Sequence, residues 1–163
     1  MTDRKGLPFL HPASLIATWF GSGLLPIAPG TWGSAAALPF AAAIMWLAGP
    51  EVGPWALLAA SVLAFLIGLW ASERYATALG KDDPGPVVID EVAGQWLTLV
   101  PAGLDPVLYL IGFFAFRVFD VLKPWPAGWM DRTLKGGLGI MLDDMVAGLY
   151  GALVCFGIAT WVL

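Results

Sequence analysis

Charge is scarce in this chain, and the scarcity excludes several classes of protein. Only 12% of its 163 residues are charged, against about 25% in ordinary soluble domains. No long polar stretch is available to form a large soluble domain. The eight basic residues form no basic helix or arm, and the net charge is -4, so we expect no nucleic-acid binding.

Several reactive side chains used by hydrolases are also missing. The only histidine, His11, lies outside every motif, which argues against a phosphohistidine or histidine-triad enzyme. The single cysteine, Cys155, permits no intramolecular disulfide and no thiolate metal cluster, and its context lacks the Cys-x5-Arg nucleophile pattern. No Asp-x-Asp nucleophile and no GxxxxGK[ST] phosphate loop occur.

Apolar side chains are what the chain has in abundance. Hydrophobic residues make up 59% of it, with nine Trp and a mean hydropathy of +0.80. This composition predicts one domain over residues 1–163, an all-α bundle of membrane helices. Prolines and glycines interrupt Leu7–Ser34 behind Arg4 and Lys5, so we expect no cleavable signal peptide.

Apolar runs separated by Gly- and Pro-rich turns predict about five spans. The runs are Thr31–Gly49, Pro54–Ala76, Val87–Val100, Val107–Leu122 and Ile140–Leu163. The third is short for a hydrocarbon core about 30 Å thick, so it is tilted, buried by its neighbours or not fully spanning. A short N-terminal segment, Leu7–Phe20, predicts an interfacial or re-entrant helix.

The distribution of basic residues orients this bundle. They lie in the N-terminal segment and around the loops after the second and fourth runs, whereas the hairpins at Glu51 and Asp105 contain no Lys or Arg. The positive-inside rule therefore predicts a cytoplasmic N-terminus and an external C-terminus. Every acidic motif and the Gly-rich loop then fall on the cytoplasmic face.

Carboxylates inside or at the ends of apolar runs are the strongest functional signal. A charged group in a membrane segment is costly and is usually retained for chemistry. These residues are Asp90, Glu91, Asp120, Asp143 and Asp144, the last two predicted in the first turn of the last span. Together they offer hard oxygen ligands for Mg²⁺. The alternative is that they pair with Arg117, Lys123 or Arg132 to hold the bundle together, but acids outnumber these bases.

A short internal similarity links two of the acidic motifs. Asp90–Gly94 matches Asp144–Gly148 at four of five positions, with an acid one helical turn before a glycine in both. The glycine permits a neighbouring helix to approach beside the carboxylate. Chance similarity in an Ala/Val/Gly-rich chain is the alternative explanation.

Basic side chains near the acids suit a phosphate ligand. Arg117 and Asp120 are three residues apart and share a helix face, so Arg117 either contacts substrate or forms a salt bridge with Asp120. Lys123 follows a turn later at the membrane surface. We expect Asp131, in the following loop, to orient its neighbour Arg132.

A Gly-rich loop precedes the first span and contains Gly30, Thr31, Gly33 and Ser34. Backbone N–H groups at a helix N-terminus, with glycines allowing close approach, form an anion site. Thr31 or Ser34 could instead cap the helix. Facing carboxylates, the loop predicts a phosphate cradle, and the remaining chemistry is metal-assisted attack on phosphorus.

Three strings together resemble the phosphatidylglycerophosphatase A family: PxxPGTxGS (Pro26–Ser34), IDExxGxW (Ile89–Trp96) and FRxFDxxKPWP…DRxxxGGxGIMxDDxxAG (Phe116–Gly148). The resemblance implies Mg²⁺-dependent hydrolysis of phosphatidylglycerophosphate to phosphatidylglycerol and phosphate in the bacterial inner membrane. Relatives often carry histidine in the loop before IDE, whereas Leu79–Pro86 contains none. A catalytic role for that loop is therefore not expected.

The resemblance also implies roles for individual residues. It makes Asp90, Glu91, Asp120 and Asp144 catalytic, as metal ligands or general base, and adds Asp143 as a metal ligand. It gives phosphate binding to Arg117, Lys123 and Arg132, with Gly30–Ser34 closing the site. Which carboxylate is the base stays open.

Two other functions compete with the lipid phosphatase. A CDP-alcohol phosphotransferase also uses intramembrane acids, but its long DG…AR…G…D…D run is missing. A small cation transporter would need carboxylates at the bilayer midplane, whereas here they gather at one face. The expected partner is a phospholipid substrate in the cytoplasmic leaflet, and the oligomeric state is left open.

Overall fold

A computed structural model describes residues 6–162, so Arg4 and Lys5 of the orientation prediction lie outside the described residues. Its helices are α1 (Pro12–Ala17), α2 (Pro29–Leu79), α3 (Ile89–Leu99), α4 (Pro106–Leu122), α5 (Ala127–Thr133) and α6 (Gly136–Trp161). Short 3-10 turns occupy Ser22–Leu24 and Val100–Ala102. Residues 6–162 contain no strand, so the all-α prediction is confirmed.

Helix α2 combines the first two predicted runs and is broken at one residue. Gly49 has φ 77° and ψ 170°, a conformation that a side chain would strain, and Pro50 follows it. A Cβ on Gly53 would lie 3.1 Å from the Met45 carbonyl oxygen, although eight residues of straight helix span about 12 Å. The two halves of α2, residues 29–48 and 50–79, therefore fold back sharply on each other.

Helix α3 is the centre of the bundle. Its 11 residues cover roughly 16 Å, and hardly any of its side chains is exposed. Trp96 donates its indole N–H to the Ala37 carbonyl in the first half of α2, at 2.9 Å. Ser61 in the second half donates to the Ala93 carbonyl at 2.8 Å. The short third run is thus buried by its neighbours. This was one of the three alternatives that the sequence left open for it, beside a tilted helix and one that does not fully span the membrane.

The similar Asp-to-Gly motifs of α3 and α6 lie against each other. A Cβ on Gly148 would stand 2.5 Å from the Gly94 carbonyl oxygen and 2.9 Å from its Cα. Thr98 Oγ1 donates to the carbonyls of both glycines, at 3.0 and 3.1 Å. The prediction that these glycines allow close helix approach is confirmed. Because Asp90 and Asp144 each lie one turn before their glycine, the crossing also fixes the position of one acid relative to the other.

Substituting Gly148 with valine is expected to destabilise the bundle by at least about 1–3 kcal/mol, the usual cost of overpacking. The added side chain meets backbone, which cannot rotate aside as a flexible side chain can. Thermal unfolding in detergent measures the effect. Gly157→Val is the matched control, because a Cβ on Gly157 of the same helix has no neighbour within 4 Å. Equal stability losses in the two variants would contradict the tight crossing.

Helix α6 begins earlier than the sequence predicted. Its first residue is Gly136 rather than Ile140, so the prediction that Asp143 and Asp144 lie in its first turn is wrong; they lie about two turns into the helix. The physical reason is a cap from another element, since the Gly137 N–H donates to Glu73 Oε2 of α2 at 2.6 Å. Helix α5 lies between the fourth and fifth predicted runs, in a segment that the sequence predicted to be a loop.

The N-terminal segment is less helical than predicted. Helix α1 covers only six residues, with His11 Nδ1 accepting from the Ala13 N–H at 3.1 Å as its cap. Trp19 and Phe20 then take positive φ values of 45° and 55°, which ends the helix. Leu7–Phe20 is therefore a short helix followed by a turn.

Large apolar side chains cover the outside of the bundle. Trp46, Leu47 and Trp55 are at least 70% exposed, near the Gly49 turn. Such an apolar surface marks a lipid or protein interface. Helices α2 and α6 are each long and apolar enough to cross a bilayer. Membrane association agrees with these features, and the number of crossings stays a prediction.

Candidate active site

Three carboxylates meet at one end of α3. Asp90 and Glu91 occupy its first turn, and Asp144 comes from α6. One oxygen from each lies within 4.8 Å of the others. We call these residues the acidic cluster. The Gly94–Gly148 crossing holds it together, because each helix carries its acid one turn before that contact.

The acidic cluster leaves buried oxygens without partners. Asp90 Oδ1, Glu91 Oε2 and Asp144 Oδ2 are inaccessible and accept no hydrogen bond within the described chain. A buried, uncompensated carboxylate is costly, so such a group needs a proton or a cation. Hard divalent cations prefer several carboxylate oxygens, so the donor set fits Mg²⁺. These three residues are the ones that would hold the ion.

The other predicted acids line the same cavity but have basic partners. The cavity has a volume of about 310 Å³ and is lined by all five predicted acids. Asp120 Oδ2 lies 2.5 Å from Arg117 Nη1. Asp143 Oδ2 lies 2.6 Å from Lys123 Nζ. Both of these carboxylates therefore have a cation in direct contact, although Asp143 Oδ1 is buried without a partner. In the acidic cluster, Glu91 lies farther from its cation, 3.8 Å from Arg117, and within the described residues Asp90 and Asp144 form no salt bridge.

Arg117 is the basic residue nearest to the acidic cluster. Besides Asp120, its Nη1 lies 3.8 Å from Glu91 Oε1 and 3.4 Å from Ser34 Oγ. The Arg117 and Glu91 side chains are 18% and 13% exposed, so water screens the pair only partly. Arg117 thus links α4, α3 and the first turns of α2, where its guanidinium can fork onto phosphate oxygens.

Only part of the Gly-rich loop reaches the cavity. Gly30 lines it, and a Cβ there would overlap Glu91 Oε1 and approach Arg117 Nη1 at 3.1 Å. Ser34 Oγ accepts from Arg117 and donates to the Gly30 carbonyl at 2.9 Å. Gly33 packs on the Val88 side chain instead. Thr31, like Gly33, does not line the cavity.

Lys123 joins two acids at the mouth of the cavity. Its Nζ donates to Asp131 Oδ1 at 2.7 Å and to Asp143 Oδ2 at 2.6 Å. Burial lowers the pKa of Lys123, but these hydrogen bonds and charges outweigh it and raise the pKa above its usual value. Asp131 thus pairs with Lys123, and the expectation that it orients Arg132 is wrong. Arg132 is exposed on α5 and does not line the cavity.

Sequence reasoning missed some residues around this cavity. Asp82, Asp83 and Lys135 line it, although the 79–86 loop was not expected to take part. The sequence signal that could have indicated this loop is its pair of adjacent aspartates, which follow Lys81 directly. Glu73, the cap of α6, was not singled out either, and the signal that the sequence offers for it is an acid within the second apolar run.

The fold and the site together define a class: an all-helical, apolar-surfaced protein with a carboxylate and arginine site suited to phosphate. The phosphatidylglycerophosphatase A family profile matches residues 15–159. The chain belongs to the phosphatidylglycerophosphatase A family, and this membership makes it a phosphatase.

Named relatives agree with this assignment over most of their length. The chain is 41% identical over 151 residues to phosphatidylglycerophosphatase A of Escherichia coli strain K12, covering 91% of the chain and 84% of that protein. It is 37% identical over 161 residues to phosphatidylglycerophosphatase A of Haemophilus influenzae, with 98% and 96% covered. A putative phosphatidylinositol-3-phosphatase of Bacteroides thetaiotaomicron is 39% identical over 157 residues, with 91% and 94% covered. No solved structure matches.

Proposed function

We propose that this protein is a Mg²⁺-dependent lipid phosphatase that hydrolyses the terminal phosphomonoester of phosphatidylglycerophosphate. The observation that carries the proposal is the acidic cluster. Asp90, Glu91 and Asp144 each offer an oxygen within 4.8 Å of the others, and each has one buried oxygen without a hydrogen-bond partner. Arg117 lies beside the cluster and supplies charge for phosphate oxygens. The family and the two phosphatidylglycerophosphatase relatives support the same substrate.

The proposed chemistry is a single hydrolytic step. Bound Mg²⁺ supplies charge neutralisation at the phosphate and a lowered pKa of the attacking water. Arg117 orients the phosphoryl group, with Ser34 fixing the guanidinium from α2. One carboxylate of the acidic cluster accepts a proton from water as the water oxygen forms a bond to phosphorus and the bond between phosphorus and the glycerol oxygen breaks. The glycerol oxygen takes up a proton as it leaves. The products are the lipid alcohol and inorganic phosphate.

The proposal includes a location in the bacterial inner membrane. The two halves of α2 with α3, α4 and α6 correspond to the five predicted apolar runs. Gly49 and Gly103 line one small cavity. Gly103 follows the end of α3 that is opposite to Asp90 and Glu91. With basic loops at the acidic end, the positive-inside rule favours an N-in orientation and a cytoplasmic site.

Both competing functions are weakened by the same features. A cation transporter needs a pathway along the bundle, whereas the five acids share one cavity at one end. A CDP-alcohol phosphotransferase belongs to a different family from the one this chain matches. The relative named as a putative phosphatidylinositol-3-phosphatase keeps other lipid phosphomonoesters in consideration.

Phosphate release by the purified protein in detergent tests the proposal. We expect turnover of phosphatidylglycerophosphate, its loss in EDTA and its recovery with excess Mg²⁺. The cation dependence follows from the unpartnered oxygens of the acidic cluster. Phosphatidate and phosphatidylinositol 3-phosphate serve as comparison substrates. Full activity in EDTA would contradict the proposed metal dependence. Preference for a comparison substrate would contradict the proposal that phosphatidylglycerophosphate is the substrate.

A further inference from the structure

An apolar groove runs along the side of the bundle between the first half of α2 and α4. Its volume is about 410 Å³, within the range of about 300–1,000 Å³ for ligand sites. It is lined by Ala35 and Leu38 on α2 and by Tyr109, Leu110, Phe113 and Phe114 on α4.

The groove opens to the outside of the bundle. Leu110 and Phe114 are 60% and 58% exposed, and no charged residue lines the groove. Among residues 6–162, α2 and α4 share a single hydrogen bond between side chains, which joins Arg117 to Ser34. The two helices are therefore joined by a polar contact at one end and line the apolar groove farther along the seam.

The groove is in register with the candidate active site. On α4, Tyr109, Phe113 and Arg117 follow one another at four-residue spacing and share a face. On α2, Ser34 and Leu38 have the same spacing. The groove thus starts one helical turn, about 6 Å, from the guanidinium-bearing residue. A molecule with a phosphate at Arg117 and an apolar chain directed along α4 fits both parts.

We propose that this groove binds an acyl chain of the lipid whose phosphomonoester occupies the acidic cavity. The proposal rests on the proposed function and extends it by giving the substrate's apolar part a site. The seam between α2 and α4 is then the lateral entrance from the bilayer, and the Arg117–Ser34 contact is where headgroup and chain regions meet.

The expected benefit of the groove is orientation. A chain that leaves the bilayer for a protein groove exchanges one apolar surrounding for another and gains little hydrophobic free energy. A chain held along α4 instead fixes the position of the phosphate against the acidic cluster, where a misplacement of about 1 Å can cost about a hundredfold in rate. Filling the groove should therefore affect long-chain lipids selectively.

Two groove-filling variants, Leu38→Trp and Ala35→Phe, test this inference. Dioleoyl and dihexanoyl phosphatidylglycerophosphate are compared in mixed micelles, because the short chains depend less on the groove. We expect the ratio of kcat/KM between dioleoyl and dihexanoyl substrates to fall about tenfold or more, through misplacement of the long-chain substrate. Leu66→Trp is the matched control, since Leu66 is 56% exposed on the second half of α2 and outside the groove; its ratio should equal that of the unmodified protein.

Photolabelling gives a readout that does not depend on variants. A phosphatidylglycerophosphate analogue with a diazirine in one acyl chain is irradiated with the unmodified protein, and labelled peptides are mapped by mass spectrometry. We expect labels in residues 35–38 and 109–114, and protection by excess unlabelled substrate but not by phosphatidylcholine. Labels confined to the second half of α2 would overturn the inference.

These experiments distinguish a failure of the acyl-chain site from a failure of the proposed phosphatase function. If the unmodified protein hydrolyses the dioleoyl lipid and the groove variants keep its chain-length ratio, the groove is not an acyl site while the phosphatase function stands. If the unmodified protein releases no phosphate from either lipid, the proposed function fails and the groove assignment fails with it.

Discussion

Asp144→Asn is expected to reduce phosphate release by at least about a hundredfold, the lower end of what a positioned acid or base contributes. Asp144 is 3% exposed, belongs to the acidic cluster and has an unpartnered Oδ2. Asparagine keeps the shape but removes the negative charge and one oxygen ligand. A divalent ion is then held by one carboxylate fewer, and a proton acceptor is lost.

The adjacent residue provides a matched control on the same helix turn. Asp143 is also buried, but its Oδ2 is bonded to Lys123 at 2.6 Å. Asn at position 143 retains an oxygen that can accept this bond, so we expect a loss of about tenfold or less, since the cluster charge is unchanged. Initial rates and metal titrations of both variants, with unfolding temperatures to verify folding, make the comparison.

The Asp144 prediction has a clear contrary result. Turnover like that of the unmodified protein in Asp144→Asn would mean that the acidic cluster is not the reaction centre. A greater loss in Asp143→Asn than in Asp144→Asn would move the centre to the Lys123 side of the cavity. Unchanged apparent Mg²⁺ affinity with lost turnover would assign Asp144 to proton transfer.

The helices could be predicted well where local signals agree. Helix α4 starts within one residue of its predicted start because Asp105 caps it, accepting from the Val107 and Leu108 N–H groups at 2.8 and 3.0 Å. Proline at the first helical position reinforces this start. The start of α6 could not be predicted in this way, since its cap is Glu73, 64 residues away in sequence.

The convergence of the acids was predictable, and the Arg117–Asp120 pair was one of the two alternatives that their spacing gave, but the pairing across helices was not predictable. Hydropathy and the positions of charges put Asp90, Glu91, Asp120, Asp143 and Asp144 at one end, and the structure brings them to one cavity. Which acid has a cation depends on side-chain reach across helices. The 2.6 Å contact between Lys123 and Asp143 joins residues 20 apart in sequence and has no periodic signature.

For the Gly-rich loop, too, the sequence predicted the general location of the site but not the role of each residue. The sequence predicted a phosphate cradle from Gly30, Thr31, Gly33 and Ser34, but glycine has several structural uses. In the structure Gly33 makes room for Val88, while Gly30 makes room for Glu91 and Arg117. Only the arrangement of α2 against α3 distinguishes a packing glycine from one at the site.

Gly30→Ala is expected to lower activity by about a hundredfold while leaving the fold intact, because displacing a reacting group by about 1 Å has an effect of this size. The added Cβ overlaps Glu91 Oε1, the end of a flexible side chain that can move aside. Moving it takes the carboxylate away from Asp90 and Asp144, so the cluster loses its 4.8 Å spacing. Alanine favours a helix over glycine by up to about 1 kcal/mol, so thermal stability should stay equal or rise.

Loss of activity without loss of stability distinguishes a displaced ligand from a damaged fold. Gly85→Ala is the matched control, since a Cβ there would lie 4.0 Å from Pro29 Cγ, an ordinary contact on the same cavity wall. Kinetic constants, unfolding temperature and Mg²⁺ dependence are measured for both variants. We expect Gly30→Ala to need more Mg²⁺, as its third carboxylate is misplaced. Equal activity in the two variants would mean that Glu91 does not have to occupy its observed position, and would leave Asp90 and Asp144 as the acids that the reaction requires.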